Sequence, residues 1–149
     1  MKPYNGFSGA QREAAAKWIS EGIAAGAFPP PSACFCCGQS SGVIHYHCEN
    51  YSAPFGRHTI RYPLCWTCHM VWHCRNRNGR AVRAYIERVA SGFRAEPVCG
   101  GFPELDRLMR GMFSGMRGTT VDDPPGDGPW RSMNAEAARI TGSDFLYGQ

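Results

Sequence analysis

Several absences narrow the chain before any motif is read. No run of 18 apolar residues occurs in its 149 positions, so no segment suits a membrane-crossing helix and no membrane role is expected. The opening stretch "MKPYNGFSGAQREAAAKWIS" is polar and helix-like, without the apolar run of a secretory signal. No internal repeat is present. Acidic residues are missing from one long stretch: residues 51–85 hold neither Asp nor Glu.

The residues that are present point to one ordinary domain, loop-rich on account of 18 glycines and 11 prolines. A net charge of +4 favours an acidic partner such as nucleic acid. Eight cysteines without an export signal read as metal ligands and free thiols rather than a disulfide framework. The expected setting is therefore reducing and cytoplasmic.

Along the chain, Ser8 can cap a helix running to about Ala27, ended by "PPP" at 29–31. Residues 42–51 alternate and are rich in β-branched and aromatic types, which predicts a strand. A basic loop follows over 52–63, with a short strand at 59–62, and a helix is expected over 64–76. Residues 80–92 predict a second helix with Val82, Tyr85, Ile86 and Val89 on one face. A third is expected over 103–113, a linker over 118–129, and one short helical stretch in the tail. The expected divisions are a helix and Pro-rich linker (1–33), a metal-binding core (34–95), a helical extension (96–117), and a partly flexible linker and tail (118–149).

The spacing Cys34-x-x-Cys37 … Cys65-x-x-Cys68 leaves 27 residues between the pairs. Each Cys-x-x-Cys turn brings two thiolates to one ion, and two turns complete a tetrahedral site of the kind zinc accepts in structural roles. Cys36 stands too close to Cys37 to replace Cys34. Cys48, Cys74 and Cys99 match no such spacing and read as small buried residues.

If the cysteines hold their own zinc, His69 and His73 are free, one turn apart on a helix face and able to grip a second ion. On the preceding strand His45, His47 and Glu49 form a row on one face. The alternative joins His69 and His73 to two cysteines in a single Cys₂His₂ site, at the expense of orphaning Cys34 and Cys37. His58 lies in the basic loop and reads as solvated.

Together the knuckles, the strand "HYHCENYSAPFG" and the helix "LCWTCHMVWHCR" resemble the HNH endonucleases of the ββα-metal (His-Me finger) superfamily, nearest to small phage and prophage HNH-like proteins. The resemblance covers about residues 34–77. It implies an α+β fold: a zinc-stabilised, treble-clef-like ββα-metal core, a short β-hairpin plus a helix, with flanking helices. It implies His69 and His73 as ligands of a catalytic divalent ion (Mg²⁺, Mn²⁺ or Zn²⁺). It makes His47 general base or ligand, with His45 or Glu49 in the other role. Two departures stand out: Cys48 follows His47, where many members have adjacent Asp-His or His-His, and residues 51–64 lack the middle Asn.

Arg57, Arg61, Arg75, Arg77, Arg80 and Arg83 all fall in the acid-free stretch, and a guanidinium donates paired hydrogen bonds to phosphate. The expectation is a metal-dependent endonuclease of low sequence specificity acting on double-stranded DNA, in the cytoplasm of a bacterial or phage-infected cell. The alternative is a catalytically degenerate zinc module that binds nucleic acid or a protein partner. The helical flanks and tail offer room for such a partner.

Overall fold

Ser8 starts the first helix for a local reason. Its hydroxyl accepts from the Gln11 N–H while the Gln11 side chain accepts from the Ser8 N–H, a capping box. The computed structural model, which describes residues 1–99, 106–108, 110–111 and 113–148, continues this helix, α1, over Gly9–Ala24. It stops short of Ala27 because Gly26 takes a left-handed φ of 71° and its N–H closes onto the Ile23 carbonyl, before the prolines are reached.

The expected long strand is only four residues, β1 (Ile44–His47). Its partner β2 (Tyr62–Cys65) is equally short and lies later than expected. They pair antiparallel, Ile44 opposite Cys65 and His47 opposite Tyr62. Pairing across the hairpin, which local pattern cannot show, holds Leu64 and Cys65 extended. The helix α2 therefore begins at Trp66 and runs to His73. Past His47 the chain leaves the ladder and turns inward, burying Cys48 and Glu49 in succession.

Asn78 caps α3 (Gly79–Ala90) by accepting from the Ala81 N–H, and Val82, Tyr85, Ile86 and Val89 are buried as their spacing predicts. Strands β3 (Phe93–Ala95) and β4 (Gly118–Thr120) form a second antiparallel pair. The architecture is thus α+β with small two-stranded sheets. Of the helix expected over 103–113, residues 103–105, 109 and 112 lie outside the described residues; 106–108 are helical and Leu108 is buried.

The C-terminal region departs most from expectation. Residues 118–120, read as linker, pair with β3, because turn-forming composition says nothing about a distant strand edge. The tail forms α4 (Gly128–Thr141), with Trp130, Met133 and Ala137 buried in the main core. Trp130 sits 6.0 Å from the Trp72 ring and 6.2 Å from Tyr85. An aromatic side chain of this size removes about 150–250 Å² from water, a contribution of roughly 4–6 kcal/mol. This segment is therefore part of the domain rather than an appendage.

The main core gathers Tyr62, Leu64, Val71, Trp72, Tyr85 and Trp130 together with the four paired cysteines. A satellite group of Ala15, Cys48 and Tyr51, with Tyr4, Phe7 and Ile19, fastens α1 to the chain just after β1. The histidines lie where these two groups meet.

Candidate metal centres

The first cysteine pair sits in a tight turn: the Gly38 N–H bonds the Cys34 carbonyl at 2.8 Å and the Cys34 N–H bonds the Gln39 carbonyl at 2.8 Å. Gly38 has a φ of 75°, and a Cβ there would stand 2.8 Å from the Arg94 guanidinium, which donates to the Cys37 carbonyl. The second pair lies at the end of β2 and in the first turn of α2, with Cys65 as the helix N-cap residue. All four sulfurs fall within 4.8 Å of one another.

The Cys37 and Cys65 sulfurs are 3.8 Å apart. An ion bound tetrahedrally at about 2.3 Å to each sulfur gives sulfur–sulfur edges of about 3.8 Å. The Gln39 N–H points at the Cys37 sulfur, and the Tyr85 hydroxyl lies 3.4 Å from that of Cys68. Burial pushes the Cys68 thiol well up, so charge can rest there only if a cation stabilises it. The buried four-cysteine group can hold a metal ion. Cys36, Cys48 and Cys74 are buried outside it, and Cys99 is exposed. The Cys48 thiol donates to the Thr59 carbonyl at 3.0 Å and that of Cys74 to the Leu108 carbonyl at 3.4 Å.

Separate from the sulfurs, His47, His69 and His73 each offer a nitrogen within 4.8 Å of the others. Their ring centroids are 5.0, 5.2 and 4.8 Å apart. Helical spacing stacks His69 and His73 on α2, and the hairpin brings His47 across to them. His47 Nε2 lies 2.7 Å from the Glu49 carboxylate, while His47 Nδ1 and His69 Nδ1 are buried without a protein partner. Buried, unsatisfied imidazole nitrogens beside one another fit a cation among them. Burial, with neighbouring His47 and Arg75, holds the His73 ring at about 3, and burial drives His69 well down. Both rings are therefore neutral at pH 7, the form that coordinates metal.

Glu49 is fully buried and anchors the histidines. It accepts from Trp72 Nε1 at 2.5 Å, from the Tyr4 hydroxyl at 3.1 Å and from Asn5 Nδ2, and Arg75 lies 3.6 Å away. Burial alone would raise this carboxyl; His47, Arg75 and the Trp72 N–H outweigh it and hold it at about 2. A carboxylate accepts only, so His47 donates through Nε2, and Nδ1 is the ring nitrogen left without a protein partner. Glu49 thus positions His47 and has no oxygen free for an ion of its own.

His45, expected in the same row, is exposed, 6.3 Å ring to ring from His69, and falls outside the three-histidine group. Among the arginines expected on phosphate, Arg75 is buried on Glu49 and lies 4.4 Å over the Trp72 ring, because the carboxylate needs a counter-charge. Arg61 pairs with Glu136 of α4 at 3.6 Å, and Arg83 donates to the Phe145 carbonyl. Arg57, Arg77 and Arg80 are exposed. His58 bonds the Ser52 carbonyl at 3.1 Å.

Sequence reasoning passed over Tyr4, Asn5 and Arg12. Tyr4 packs edge-on against His73 at 4.7 Å, and its hydroxyl bridges Arg75 and Glu49. A signal existed: "YNGF" places Asn-Gly between two aromatics, and Asn5 and Gly6 take φ of 51° and 82° in a tight turn bridging Tyr4 to Phe7. No local pattern, however, says that this turn lands on Glu49. No protein-family model, curated protein or solved structure matches the chain. Among the described residues, no helix is long and apolar enough to cross a membrane.

Proposed function

We propose that the chain is a metal-dependent endonuclease of HNH type. The observation that carries the reading is the convergence of His47, His69 and His73 apart from the four cysteines. In this reading Cys34, Cys37, Cys65 and Cys68 hold a structural zinc ion in a treble-clef-like ββα-metal core, a role that suits a closed thiolate site in a reducing compartment. His69 and His73 hold a divalent ion such as Mg²⁺, Mn²⁺ or Zn²⁺. Such an ion supplies charge neutralisation at the phosphate and the departing oxygen.

The chain's own residues do the rest. Glu49 fixes the His47 ring and its tautomer. His47 Nδ1 takes a proton from the attacking water, a task for which a neutral imidazole is suited at pH 7. Exposed Arg57, Arg77 and Arg80, in a stretch without carboxylates, favour contact with a nucleic-acid backbone.

A second reading has its own support. The His47 side chain is fully buried and Tyr4 packs edge-on against His73, which suits a structural ion held by three imidazoles. The chain would then be a non-catalytic metal module that binds nucleic acid or a protein.

Cleavage separates the two. Zinc-loaded protein with Mg²⁺ or Mn²⁺ is expected to nick supercoiled plasmid and to cut single-stranded DNA or RNA. Replacing His47 by alanine should cost about 10²–10⁴-fold in rate, the usual contribution of a general acid or base, and replacing His69 should abolish cleavage by removing a ligand of the ion, with the cysteine-bound metal retained in both. If no ion supports cleavage of any of these substrates, the endonuclease reading fails and the non-catalytic module stands.

A further inference from the structure

A pocket of about 430 Å³ opens between α1 and β1, with His69 and His45 in its lining. Ile19 and Ile23 line it from α1, and Ile44 and Tyr46 from the strand. No Asp or Glu is among its lining residues, but Arg12 is. The Arg12 guanidinium lies over the Tyr4 and Tyr51 rings at 5.3 and 5.2 Å; its Nη1 donates to the Lys2 carbonyl, and its Nε is buried with no acceptor. Apolar walls, a guanidinium with no carboxylate among the lining residues, and a histidine of the metal group therefore share one cavity. Its volume falls within the range of about 300–1,000 Å³ typical of ligand sites.

Access to the histidines decides what can enter. His47 is fully buried, and the Tyr4 ring packs edge-on against the partly buried His73. The pocket is lined by His69, the remaining member of the group. A base still stacked in a duplex cannot enter such a cavity without leaving the stack, whereas an unpaired base can.

We infer that this pocket is a nucleotide subsite: it takes one unpaired base beside the phosphate to be cut, with Arg12 meeting the backbone charge. The inference rests on the endonuclease reading for the phrase "to be cut" and on the pocket alone for the unpaired base. It makes single-stranded or locally opened nucleic acid the substrate class in place of continuous duplex. Extracting a base from a duplex has a cost that an unpaired strand does not bear, which sets a preference of about 10²–10³-fold.

The test is binding first, without added Mg²⁺ or Mn²⁺, using a short oligonucleotide that carries one fluorescent adenine analogue. Single strands are expected to bind at least about tenfold tighter than the same sequence as a blunt duplex, with a change in emission as the base leaves water. DNA and RNA versions show which sugar is accepted. Ser20→Trp and Ile19→Trp, which fill the pocket from α1, should weaken single-strand binding about tenfold or more with metal content unchanged. Arg12→Gln should lower the salt slope by about one.

Equal affinity for duplex and single strand overturns the inference, as does unchanged binding in folded pocket-filled variants. If those variants lose metal, the wild-type strand preference decides. A cleavage assay on the same oligonucleotides separates the two ideas. Binding with this pattern but no cutting removes the endonuclease reading and keeps the subsite. Equal cutting of duplex and single strand does the reverse.

Discussion

Cys68→Ser leaves the chain without a stable tertiary structure at neutral pH. The residue is fully buried, and its partners Cys34, Cys37 and Cys65 lie in the same core as Trp72 and Tyr85. A structural zinc site contributes an apparent binding free energy of about 10–16 kcal/mol, against a typical net domain stability of about 5–15 kcal/mol. Loss of one ligand therefore removes as much as the domain has to spare. Near-UV circular dichroism and a thermal melt read the effect, and a strong chelator on the wild type should reproduce it. Cys48→Ser is the control: it keeps a donor for the Thr59 carbonyl and should leave metal content and melt nearly unchanged. A Cys68→Ser protein that melts like wild type would show that the four sulfurs are not a metal site.

The second large effect falls on Glu49. Glu49→Ala strands the buried Arg75 guanidinium, and breaking such a pair costs about 3–5 kcal/mol. Glu49→Gln keeps the volume but not the chemistry. His47 Nε2 and Trp72 Nε1 meet one carboxylate oxygen and Asn5 Nδ2 and Arg75 meet the other, so whichever way the amide turns, its NH₂ faces a donor. The ring of His47 thus loses the ionised, fully satisfied acceptor that orients it. Disturbing a group that orients a metal-site histidine lowers affinity or activity by about 10–100-fold, and a metal titration with the cleavage assay should show it.

The pH dependence follows from the same residue. Its folded pKa of about 2 lies below the ordinary 4.5, so its stabilisation is complete above the ordinary value and is lost as pH falls towards 2. Urea melts between pH 6 and 3 should show falling stability in wild type and a flatter profile in Glu49→Gln. Identical profiles would mean that Glu49 is not the ionised anchor described.

The cysteine set was legible because a Cys-x-x-Cys turn is local and its repetition over 27 residues has little other use. The histidines of α2 were legible for the same reason, a helical spacing. The row on β1 was legible only in part. The strand ends at His47, so Glu49 reaches the site by turning inward and His45 stays outside. Arg75 shows the limit of counting charges: its place on Glu49 depends on tertiary packing that no charge pattern reveals. Tyr4, Asn5 and Trp130 were invisible as site or core residues because their contacts lie 44 or more positions away.

The central claim is that one chain carries two separable metal sites, one of sulfur and one of nitrogen. Metal content per chain, measured on protein purified with zinc present and on its His69→Ala/His73→Ala variant, tests it most directly. The account predicts two ions per chain in wild type and one in the variant, the remaining ion bound to four sulfurs by X-ray absorption. One ion per chain in both proteins would contradict it.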